Sequence, residues 1–138
     1  MEVKLAVLAD AANITVEGKL NIFGIFNIIG ANNFPAVHPQ IQLVMILEAD
    51  TAEKGHSKNI DVQLSGPDGQ KIFALGGKIV VPKGESGYPV GMNHILTLNG
   101  LRFDKPGDYV FKVLINGDPK GRVPLMVRQP HPTRRTTP

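Results

Sequence analysis

The chain has no cysteine, no tryptophan and only two tyrosines, Tyr88 and Tyr109. Without thiols there are no disulfides, thiolate metal sites or cysteine nucleophiles, and stability has to come from packing. The scarcity of large aromatics with a polar edge also argues against a stacking platform for carbohydrate. No apolar run approaches the roughly 18 residues that a helix needs to cross a bilayer. The first ten residues, Met1 to Asp10, lack a basic leader and a cleavage region, so no secretory signal is expected and a cytoplasmic location is. Charge of one sign is missing too. Setting aside Arg128, Arg134 and Arg135 near the end of the chain leaves twelve basic against twelve acidic residues. A neutral body offers no broad electropositive field, so specific nucleic-acid binding is not expected.

A length of 138 residues, with 42% hydrophobic and 20% charged residues, suits one globular domain around a single core. Its clearest stretch begins at Gly107. Tyr109, Phe111, Val113 and Ile115 alternate with Val110, Lys112, Leu114 and Asn116, the period of two that puts one set of side chains on one face of a strand. Asn116-Gly117 then turns the chain, and a partner strand follows. Turn residues recur at short intervals along the rest, giving eight expected strands near residues 3–9, 20–29, 42–48, 59–65, 71–81, 92–98, 109–115 and 121–127. The segment 20–29 carries large apolar residues at both parities and is expected to be a central strand covered on both faces. Gly66-Pro67-Asp68-Gly69 signals a hairpin. Gly76-Gly77 suggests a bulge or close approach where a long strand changes sheets. At most, residues 10–13 or 50–54 form a single helical turn. The expected domain is 1–127, an immunoglobulin-like antiparallel β-sandwich. Residues 128–138, rich in proline, threonine and arginine, are expected to form a mobile tail, because ordering them would bury almost nothing.

Particular residues also carry a family likeness. Leu5-Ala6-Val7-Leu8-Ala9-Asp10, Gly18 to Phe26, Phe34-Pro35-Ala36-Val37-His38-Pro39-Gln40, and Phe103 through Pro106-Gly107 to Tyr109 resemble a family of small bacterial proteins classed only as a domain of unknown function. The likeness runs from residue 3 to about 127. It implies an all-β fold and a bacterial source, and it brings no catalytic residue with it. The Tyr109 strand is also similar to late strands of immunoglobulin-like domains, where a tyrosine near a strand start ties a corner.

Each candidate for chemistry has a plainer competitor. His38, His56 and His94 stand in separate segments; three imidazoles could hold zinc, but nothing in their spacing requires it. Ser86, in Gly84-Glu85-Ser86-Gly87-Tyr88, starts like a nucleophile elbow but has Tyr88 where the last glycine belongs and no helix after it. Gly76-Gly77-Lys78 lacks the parts of a phosphate loop. Asp104 with Asp108, and Glu48 with Asp50, bracket loops that could hold calcium, although local turn hydrogen bonds explain them as well. Asn13-Ile14-Thr15 matches a glycosylation acceptor, which has no meaning off the secretory route. Arg134 and Arg135 supply at most roughly 2 kcal/mol at an anionic membrane, too little for anchoring.

The segment 31–39 is the most unusual loop. Pro35 and Pro39 stiffen a connection bearing Phe34, Val37 and His38, and a stiff loop loses little entropy on binding. The loop 82–89 offers Tyr88 on similar terms. The competing reading has Phe34 and Val37 plugging the end of the sandwich.

From the residues alone, the expectation is a non-enzymatic binding or interaction module with no catalytic residue, cofactor or metal. Its partner is expected to be a protein or a second copy, without membrane insertion. Two other classes compete. One is an enzyme or metal protein whose site gathers dispersed His, Asp and Glu residues, for which His38 and His94 would have to meet an acid in one pocket. The other is a structural protein that self-assembles through an edge strand.

Overall fold

Gly107–Ile115 and Asp118–Arg128 form a hairpin around Asn116 and Gly117, both with positive φ, as a tight two-residue turn between right-twisted strands requires. Tyr109, Phe111, Val113 and Ile115 are all buried, as their alternation predicts. The Tyr109 hydroxyl donates to the Lys105 carbonyl at 2.6 Å, and its ring meets Phe103 edge-on with centroids 5.0 Å apart. The corner before the strand is therefore tied by the tyrosine.

A computed structural model describes residues 1–84 and 87–130. Ser86, Arg134, Arg135 and most of the expected tail lie outside the described residues. The chain runs β1 (Glu2–Ile14), β2 (Leu20–Phe26), β3 (Ile28–Gly30), β4 (Ala36–Ala49), a 3₁₀ turn (Thr51–Glu53), β5 (Ser57–Ser65), β6 (Lys71–Val80), β7 (Val90–Phe103), β8 (Gly107–Ile115) and β9 (Asp118–Arg128). Four strands form one sheet in the order β2-β1-β4-β7, and five form the other in the order β3-β9-β8-β5-β6. Their facing sides share one core, in which Leu8, Leu43 and Met45 of the first sheet meet Val62, Leu64, Phe111 and Leu125 of the second.

All-β with two sheets stands as expected; the details differ in four places. There are nine strands among the described residues rather than eight, because segment 20–29 breaks at Asn27. Its first part pairs with β1, while its second crosses to the other sheet and runs parallel to β9, so that sheet is mixed. Segment 20–26 is an edge strand and not a central one. The Gly76-Gly77 pair carries no bulge: the β5–β6 register runs straight through it, and Gly76 instead leaves room for the Asp61 carboxylate, whose Oδ1 lies 2.6 Å from where a Cβ would stand. Residues 10–13 are strand, whereas Asp50 and Glu53 form a capping box on the 3₁₀ turn.

β1 is shared between two partners, β4 and β2. Its residues Glu2 to Ala9 pair with β4, while the rest pairs only with β2. Ala9 and Val44 alternate with core residues, and so face away from the core, yet both are fully buried. The turn of the β1–β2 hairpin lies over that outer face, where Asn93 Nδ2 donates to the Gly18 carbonyl at 3.1 Å.

Candidate functional site

The four residues singled out in the sequence do not converge. Phe34 packs partly buried against the core, in agreement with the plug reading, while Val37 remains 62% exposed. Residues 36–39 belong to β4 and not to a loop. Tyr88 is 67% exposed but sits just before Val90, which pairs with Ala49 at the far end of β4. From Val37 to Ala49 is twelve residues of extended chain, roughly 40 Å. Tyr88 thus forms no common surface with Phe34, Val37 and His38.

The histidines are also separated. His38 lies on β4, and His94 on β7 opposite Met45, which puts them seven residues apart along β4, roughly 23 Å. His94 lines a small apolar cavity of about 200 Å³ with Ile60, Val62 and Leu75. Among the described residues, no group of three or more His, Asp or Glu could hold a metal ion. Three of the four loop acids, all but Asp108, have other work. Asp50 Oδ1 accepts from the Ala52 amide at 3.1 Å, Asp104 pairs with Arg102 at 2.9 Å, and Glu48 lies 3.8 Å from Lys4. Glu53 ties the 3₁₀ turn to two other segments, accepting from Lys58 at 2.8 Å and from the Met1 amino group at 2.7 Å. These contacts, the Lys58 hydrogen bond foremost, pull its carboxyl down to about 2.

What the fold does assemble lies around the β2–β3 crossover. His38 rests against Phe26, with ring centroids 6.0 Å apart, and lines a cavity of about 340 Å³ with Asp10, Gly24, Ile25 and Ile28. Beside it, Phe23 and Ile25 are 54% and 62% exposed. They stand opposite Ala11 and Ala9 in the β1–β2 ladder, two small residues that leave both side chains proud of the sheet. Between them, Gly24 has φ +69°, and the Asp10 carboxylate occupies the space its Cβ would need, with Oδ2 only 2.5 Å away.

Sequence reasoning missed Phe23 and Ile25 as surface residues because a strand apolar at both parities resembles one covered on both faces. The signal that was passed over is Gly24: a glycine in the middle of such a run marks a bulge, a bend or a close approach, here that of Asp10.

Four strands border the two sheets, and their edges differ. β3 is three residues long. β6 exposes Ile72, Leu75 and Val80, but Lys71 and Lys78 guard it. β7 shows none of the large exposed hydrophobics. Among the described residues, β2 alone combines a free edge, no charged residue and two exposed large apolar side chains.

Comparison with known proteins gives a family and a fold. Residues 4–128 match the model of a family of unknown function, DUF6941. No curated protein matches the chain. Among solved structures, the chain resembles part of the Pseudomonas fluorescens alkylpurine DNA glycosylase AlkC, solved bound to DNA containing an abasic site analog, with a TM-score of 0.50 and 15% identity. The match covers 92% of this chain and 30% of the glycosylase, so this chain spans under a third of that protein's length. At that identity the likeness concerns the fold alone.

Proposed function

The chain belongs to the DUF6941 family of unknown function, and within it we propose that this member is a non-enzymatic interaction module whose β2 edge pairs with a second copy of itself. The observation that carries this reading is the pairing of an uncharged free edge with exposed Phe23 and Ile25. An edge strand offers a row of backbone donors and acceptors, and chains ordinarily protect such a row with charge, proline or brevity. β2 has none of these. Two β2 strands brought together present no like charges to one another, and the apolar side chains that a monomer would leave wet become buried. His38 and the crossover cavity flank this edge and extend the surface. The separation of His38 from His94, and the engagement of Glu48, Asp50 and Asp104 with neighbouring residues, support the non-enzymatic side of the reading.

Light scattering after size exclusion tests it. A dimer mass is expected over roughly a hundredfold range of concentration, and Phe23→Lys with Ile25→Lys should return the monomer. A monomer mass for the wild-type chain throughout would end the proposal.

The finer assignment of the fold as immunoglobulin-like belongs here too. Its support is that β1-β4-β7 follows the A-B-E order and β5-β8-β9 the C-F-G order of such domains, with a tyrosine corner before β8. On this reading β2 is an added outer strand and β3 is the segment that changes sheets. An experimental structure with either strand order broken would remove it.

A further inference from the structure

The outer face of the five-stranded sheet carries a feature that the β2 edge does not explain. Lys112 of β8 stands directly opposite Arg122 of β9. Like charges in directly opposed positions destabilise a sheet. Neither cation has a hydrogen-bond or ion-pair partner among the described residues. The nearest acid along the face, Asp61 on β5, is turned across Gly76 towards β6. The pairing itself depends on a bulge. A regular register from the Asn116-Gly117 turn would set Lys112 against Gly121 and send Arg122 to the core face opposite Phe111. The shift between Val113 and Leu114 moves the ladder by one residue, bringing Arg122 beside Lys112 and Val123 opposite Phe111.

The two cations line a cavity of about 520 Å³, within the usual range for small-molecule sites. Val110, Pro124 and Met126 continue the face below them, and Pro67 forms a wall. Asp108 lies at the other end, four residues along β8 from Lys112, roughly 13 Å away and beyond direct pairing distance.

The geometry points to an oxyanion-binding groove, in which the Arg122 guanidinium and the Lys112 ammonium hold a phosphate or carboxylate while the apolar floor takes the body of a small organic ligand. A planar guanidinium can grip two oxygens of such a group at once, and the ammonium adds a point charge beside it. Bound anion would also relieve the repulsion that the bulge creates.

Titration of the ¹⁵N-labelled full chain with phenyl phosphate, benzoate and inorganic phosphate tests this. Phenyl phosphate or benzoate should shift the amides of residues 110–112 and 122–126 selectively and bind at least about fivefold more tightly than inorganic phosphate, because only the aromatic probes cover the floor. Whichever of the two binds more tightly identifies the head group. Lys112→Gln and Arg122→Gln should each weaken binding about fivefold or more, and added salt should weaken it further. Each substitution should also leave Tm unchanged or raised, since it removes a like-charge contact, so loss of binding cannot be ascribed to unfolding. Absence of selective shifts at millimolar probe, or binding that survives both substitutions, would overturn the proposal. Because the groove lies on the opposite sheet from β2, a monomeric chain that still binds phenyl phosphate would reject self-pairing alone.

Discussion

β8 and β2 look alike as amino acids and are used in opposite ways. Tyr109, Phe111, Val113 and Ile115 put a strictly alternating apolar face into the core, and Val110, Lys112 and Leu114 between them lie half-exposed on the outer face. β2, with Phe23 and Ile25 on one parity and Ile22 and Phe26 on the other, is as apolar, yet Phe23 and Ile25 are more than half exposed. Alternation reports which side of a strand is buried; apolar content at both parities does not report how many neighbours the strand has. β8 lies between β9 and β5, while β2 has β1 on one side and, among the described residues, no strand on the other. The sheet order decides whether a hydrophobic side chain becomes core or contact surface.

The sharpest way to break this comparison is to remove one aromatic ring from each strand. Phe111→Ala should cost about 3–5 kcal/mol through the cavity it leaves, whereas Phe23→Ala should cost about 0.5 kcal/mol or less in a monomer. Urea unfolding of both variants at low protein concentration makes the measurement, and similar losses would mean that β2 is covered after all.

A smaller effect probes what keeps β2 in shape. Gly24→Ala should destabilise by about 1–2 kcal/mol from the left-handed backbone alone, with more from contact with Asp10 Oδ2. Asp10→Ala should recover only the contact part, and a double-mutant cycle separates the two. Full recovery by Asp10→Ala would show that the backbone conformation at Gly24 costs nothing.

A last test, read from its pH dependence, concerns the root of β1, where Glu53 joins the Met1 amino group and Lys58. Its carboxyl titrates at about 2 in the folded chain against an ordinary 4.5, so its contribution is fully present above pH 4.5 and is lost as pH falls towards 2. Glu53→Gln should flatten the stability profile across that window and leave the difference between variant and wild type constant above it. An unchanged acid limb would place the loss elsewhere.

Much of the fold was legible in the residues. The β8–β9 hairpin, the two-sheet class and seven of the strand centres follow from period-two alternation and turn chemistry, which act over a few neighbouring residues; the Tyr109 corner came from the likeness of its strand to those of immunoglobulin-like domains. The fate of segment 20–29 was not legible, because after pairing locally with β1 it crosses to β9, which joins positions about a hundred residues apart. For the same reason Phe34 could be read as anchor or plug from the sequence, and only the packing shows it against the core. His38 stood out in the sequence, but its neighbours Phe26 and Asp10 come from other strands and were not legible beside it.

Local chemistry thus determined where the chain extends, where it turns and which face of β8 is oily, since covalent spacing and dihedral preference need no distant partner. Sheet order, the exposure of Phe23 and Ile25, and the one-residue shift that sets Arg122 beside Lys112 were decided by the tertiary structure. Each depends on which strand lies alongside, and a one-residue change of register carries a side chain from the core to the solvent.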